Sequence, residues 1–210
     1  MPPNWAEENL AVIRTLMERA ALYRRALAPV MLAVGALGTV AGGLFLFGIG
    51  TGLHFHHRWP VLAVVGFAIA LLIARLQALK AGEPLLTPPA RKITGAFFLP
   101  WACAGLMTLC LLPVGSKEDS HAWLNWILVS LWLVFYGCGL HAAAPFLVRG
   151  ISRLAWGCAL SGLGIFVGLL AEARFLVVYS PDLVMGATFG GFHLVAGIYL
   201  YFTEKKEPLA

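Results

Sequence analysis

Charge is what this chain is short of. Only 12% of its 210 residues are Asp, Glu, Lys or Arg, against 60% hydrophobic, where soluble domains carry about 25% charged residues. With a mean hydropathy of +0.83, the composition excludes a water-soluble fold and points to a bilayer. Acidic groups are the scarcer sign, 10 against 15 basic. The basic residues stand at the ends of apolar runs rather than in one patch, which excludes nucleic-acid binding as the use of the +5 charge.

Cysteine is sparse too. Cys103, Cys110, Cys138 and Cys158 all fall inside apolar runs, without the paired spacing of a disulfide framework or a zinc ribbon, and read as small packing residues. A phosphate-binding glycine loop, an HExxH and a GxSxG are absent, so a non-enzymatic protein is the expectation. The N-terminus lacks the short apolar core and cleavage site of a removable signal peptide, since residues 4–25 are charged throughout. The first membrane helix is then expected to carry the targeting signal.

What is present is long apolar sequence. Hydrocarbon about 30 Å thick needs about 20 apolar residues per helix, and six runs qualify, at approximately 26–50, 60–79, 94–114, 122–148, 154–173 and 181–202. The expected fold is all-α: a six-helix transmembrane bundle over 26–210, preceded by an amphipathic cytoplasmic helix over 1–25. That leading helix has Asn4 and Glu7 in capping-box spacing and Leu10, Ile13, Met17 and Ala20 on one face. Pro29 predicts a bend where it meets the first span. Pro60 and Pro181 suit first helical turns, with Ser180 as an N-cap before the latter.

Twelve Lys and Arg residues fall on one side of these spans and three, Arg58, Lys117 and Arg174, on the other. By the positive-inside rule both termini are expected in the cytoplasm. Residues 4–25 and the stiff connection 81–92, with Pro84, Pro88 and Pro89, are then the two cytoplasmic surfaces for a protein partner.

Four blocks carry a family resemblance: ENLAVIRTLMERAALYRRALAP from Glu8, GEPLLTPPARK from Gly82, YGCGLHAAAPFLVRGI from Tyr136 and MGATFGGFHLVAGIYLYFTE from Met185. Across nearly the whole chain they resemble a family of bacterial six-span integral membrane proteins with no known activity. The resemblance implies the fold and a bacterial inner membrane, and it carries over no catalytic residue.

Small residues recur at helical spacing: Gly35, Gly38 and Gly42; Gly157, Ser161, Gly164 and Gly168; Gly186, Gly190 and Gly197. In lipid, close approach through small residues supplies much of helix association, so these are expected to be packing faces. Among them stands His193, with His141 on the fourth run at a similar depth. Intramembrane ionisable residues mark functional sites by default. Two imidazoles on different helices suit a polar ligand or proton site, axial ligation of a haem, or simple bonding to neighbouring carbonyls. The glycine face, which draws helices together, argues against a bulky cofactor.

Outside the membrane, His54, His56 and His57 with His121 offer ligands for a divalent metal, though a solvated interfacial loop is the simpler reading. Glu172 continues the small-residue face of the fifth run and is a candidate ligand contact or outer gate. Trp59, Trp123, Trp156, Tyr179 and Tyr201 suit interfacial anchors. The expectation is a membrane-embedded binding or regulatory module with a polar site near His141 and His193. A small transporter or channel using the same histidines, and a haem or metal redox protein, are the alternatives.

Overall fold

A computed structural model describes residues 5–49, 54–80, 82, 84, 88–115, 121–147, 149–172 and 178–204. In the first helix, side chains are described only at Leu10 and from Leu27 onward. Most of the connections 81–87 and 116–120 lies outside the described residues, and with it the expected partner surface over 81–92 in part.

Among the described residues six long helices follow one another: α1 Trp5–Leu46, α2 Phe55–Lys80, α3 Pro88–Gly115, α4 His121–Ala143, which runs on into a short 3-10 turn Ala144–Phe146, α5 Arg149–Leu170 and α6. The last is assembled from Pro181–Met185, a π turn Gly186–Gly190 and Gly191–Glu204, with helical dihedrals at both junctions. Each contains a stretch long and apolar enough to cross a membrane, from Leu27–Leu46 in α1 to Pro181–Thr203 in α6. No strand occurs among the described residues.

Several boundaries differ from the sequence expectation, α3 beginning at Pro88 rather than Thr94 and α5 at Arg149 rather than Leu154, and two of the differences come from proline. Helix α1 is continuous through Pro29, so the leading helix and the first span are one element of 42 residues, about 63 Å long at 1.5 Å per residue. Helix α2 begins at Phe55, placing Pro60 inside it rather than in its first turn. The missing amide at Pro60 deprives only the carbonyl of His56 of its helical donor, and the helix runs through. His56, His57 and Arg58 therefore belong to a helix, not to a loop. Pro181, by contrast, stands in the first turn, and the Ser180 hydroxyl accepts from the Leu183 amide at 3.1 Å as an N-cap does.

The core is built from two helix pairs. In the first, α1 and α6 lie backbone to backbone. A Cβ on Gly190 would stand 2.4 Å from the Thr39 nitrogen, one on Gly42 2.7 Å from the Gly186 Cα, and one on Gly197 2.8 Å from the Leu32 nitrogen. In the second pair, a Cβ on Gly137 of α4 would stand 2.7 Å from the Ala155 oxygen of α5, and one on Gly162 2.6 Å from the Ser130 oxygen. The Ser130 hydroxyl donates to the Gly162 carbonyl at 2.8 Å across the same seam. Because lipid tails are as apolar as the side chains, this close dispersion contact is what holds the helices together.

Helices α2 and α3 flank the core. Only 11% of the α2 window and 6% of the α3 window is buried, against 44% for α4. Their outward Val, Leu and Phe side chains, Val64, Leu72, Phe98 and Leu109 among them, are exposed, as lipid-facing residues should be. The two meet through the Phe67 and Trp101 rings, 5.5 Å apart.

Candidate polar site inside the bundle

Two apolar clusters fill the bundle. One, around Trp59, Leu124, Leu133 and Met185, occupies the end far from the chain termini; the other, around Met31, Leu140, Ile151 and Leu200, occupies the end near them. Phe189 packs on the first and Tyr136 on the second. Between these two residues lies His193, 1% exposed.

Both imidazole nitrogens of His193 are engaged. Nδ1 lies 2.6 Å from the Phe189 carbonyl oxygen, one turn back in the same helix. A carbonyl only accepts, so Nδ1 carries the proton. Nε2 is then the acceptor and takes the hydrogen bond of the Tyr136 hydroxyl at 2.5 Å. The Phe189 ring completes the enclosure, 4.4 Å from the imidazole and 5.1 Å from the phenol ring. Phe189 belongs to the π turn, a feature frequent at functional sites. The result is a neutral, matched donor–acceptor pair linking α4 to α6 in an apolar interior, where either group alone would be costly.

The other sequence-predicted residues are placed elsewhere. His141 is exposed, its ring edge-on to Trp156 at 5.5 Å, and no described hydrogen bond or ring contact joins it to His193. Glu172 is exposed and sits in the turn that ends α5, with a left-handed φ of 49°, a conformation usually left to glycine or asparagine at a helix end. His54 and His56 stack at 5.5 Å, and His56 lies 4.3 Å from His57. The side chain of His121 lies outside the described residues. Among the described residues no three His, Cys, Asp or Glu side chains are grouped to hold a metal ion.

Of the expected packing residues, Gly186, Gly190 and Gly197 meet α1, and Gly157 stands 3.6 Å from the Phe192 ring. Gly168 is buried and Ser161 half-buried. Gly164 is open, with nothing within 4 Å of where its Cβ would stand.

A second polar cluster was not anticipated as a unit. Asp182, in the first turn of α6, receives a hydrogen bond from Arg58 Nη2 on one oxygen and from Trp59 Nε1 on the other at 2.8 Å. The guanidinium also lies over the Phe45 ring of α1, 4.5 Å from its centroid, a cation–π contact. One carboxylate thus ties α1, α2 and α6 together. Trp59, 4% exposed, belongs to this clamp and not to a lipid-facing belt. The sequence signal was available: an Arg-Trp pair opening one span and an aspartate opening another.

Compared with known proteins, the chain matches no family model, no curated protein and no solved structure. Its class therefore rests on its own architecture: a multi-pass helical membrane protein. Within that class it is defined by two polar ties, Tyr136–His193 inside the bundle and Arg58–Asp182 at one end.

Proposed function

We propose that this protein is a non-enzymatic binding or regulatory module of a bacterial cytoplasmic membrane, with both termini in the cytoplasm. Its polar centre is the Tyr136–His193 pair. The observation that carries the reading is the bonding of His193 on both nitrogens, once within α6 and once across to α4. A ring with no free nitrogen holds two bodies together and has no lone pair left for a metal or haem iron. The pair bridges the glycine-sealed α1–α6 unit and the α4–α5 unit, so it is placed to couple their relative position. Helix α1 extends from the first of these units well past the span Leu27–Leu46, which supports residues 4–25 as the surface that passes a change in the bundle to a soluble partner.

The reading is tested by photocrosslinking in native membranes, with the full chain carrying a crosslinker at residue 14 or 19. A discrete protein adduct whose yield changes in Tyr136→Phe supports it. No adduct, together with full biological activity after removal of residues 4–25, overturns it.

A further inference from the structure

Between α5 and α6, on the half of the bundle near the termini, a groove of about 340 Å³ is lined by Gly150, Arg153, Gly157, Phe192, Ala196 and Tyr199, with Leu154 and Val195 beside them. It opens sideways, since Arg153, Val195 and Tyr199 are all exposed. From Gly150 to Gly157 it runs seven residues inward, about 10 Å along the helix. Its outer end coincides with the ends of the apolar stretches of the two helices, that of α5 beginning at Gly150 and that of α6 ending at Thr203.

The lining is chemically divided along that length. Deeper in are Gly157, Phe192 and Ala196, all apolar. At the outer end are the Arg153 guanidinium and the Tyr199 ring, and Arg153 alone among the lining residues carries a charge. It forms no ion pair or hydrogen bond with any described residue. A snorkelling arginine needs only water, but this one tops an apolar furrow. Covering the furrow with an apolar protein helix would bury the Arg153 charge, whereas a phosphate there would accept a two-pronged, charge-assisted bond from it.

We propose that this groove is a binding site for an anionic phospholipid, its phosphate on Arg153 and one acyl chain along Gly157, Phe192 and Ala196. The site is separate from the Tyr136–His193 pair and stands whether or not the protein is a regulatory module. Basic pockets between transmembrane helices recognise acidic headgroups by the same chemistry.

The test uses full-length protein in detergent micelles, titrated with phosphatidylglycerol or with phosphatidylcholine of the same chains, and read by native mass spectrometry. The wild type should retain the anionic lipid with a preference of about tenfold, equivalent to roughly one charge-assisted contact. Arg153→Gln should abolish the preference, Arg153→Lys should keep part of it, and Gly157→Leu, which fills the groove, should lower retention of both lipids. Arg153 is exposed, so Arg153→Gln decides the matter even if Gly157→Leu fails to fold. Equal retention of the two lipids, a preference that survives Arg153→Gln, or displacement of the lipid by inorganic phosphate overturns the proposal. So does a wild-type dimer that Gly157→Leu converts to monomer, since the groove would then hold a second copy of the chain.

Discussion

Helix α6 is packed in opposite ways on its two sides. Toward α1 it presents Gly186, Gly190 and Gly197, and the backbones close until a Cβ at Gly190 would stand 2.4 Å from a main-chain nitrogen. Toward α5 it presents Phe192, Ala196 and Tyr199, and a groove of about 340 Å³ is left between the two helices. In a bilayer no hydrophobic force squeezes helices together, so the size of the residue at each crossing decides between a seal and a furrow. The sealed seam makes α1 and α6 one body. The same body meets the α4–α5 pair through the Tyr136–His193 bond to α4 and across the furrow to α5.

The comparison breaks most severely at the seal. Gly190→Val should destabilise the protein by about 3 kcal/mol, the upper end for overpacking, because the obstructing atom is backbone and cannot rotate away. Unfolding by sodium dodecyl sulfate in mixed micelles reads this directly; a change no larger than that of a surface variant would contradict the seal. Next comes the clamp at the end of the same body. Asp182→Ala leaves the Arg58 guanidinium without its carboxylate and should cost about 2 kcal/mol. The double variant with Arg58→Ala should be less destabilised than the two single costs added together, which a double-mutant cycle measures.

The joint between the bodies should matter less to stability. Tyr136→Phe removes one hydrogen bond and leaves His193 Nε2 unpaired, for about 1 kcal/mol in the same assay. A loss as large as that of Gly190→Val would make the joint as rigid as the seal. Smallest, and opposite in sign, is Gly157→Ala in the furrow. Its Cβ would lie 3.6 Å from Phe192, an ordinary contact, so the gain in helix propensity of about 0.5 kcal/mol should show as a slightly raised melting temperature. A loss there would mean that the furrow is as tight as the seal.

Much of this architecture was legible from residues alone. All six spans follow from apolar length, and the α6 glycines with Gly35, Gly38 and Gly42 of α1 announce the seal by their helical spacing. Helix α5 was less readable because it carries small residues on more than one face. Gly162, which meets α4, and Gly164, which is open, are two positions and so about 200° apart on a helix. The partner of His193 was missed for a related reason. Tyr136 and His141 are five residues apart on α4, about 140° around the helix, so a bundle that turns Tyr136 inward turns His141 out. The Arg58–Asp182 clamp joins residues 124 positions apart. It stayed hidden because Pro60 suggested a helix start, which left Arg58 in a loop.

The π turn of α6 works as a phase shifter. One additional residue in a turn sets each residue after it back by about 100° around the axis relative to an unbroken α-helix. Residues before the turn aim Asp182 at α2, and residues after it aim His193 at α4, so one helix addresses two neighbours that an unbroken α-helix would serve with a different set of positions. A single-residue deletion within 186–190 would therefore be absorbed as the π turn closes to an α turn, leaving Asp182 aimed at α2 and His193 at Tyr136 and removing only the bulge that carries Phe189.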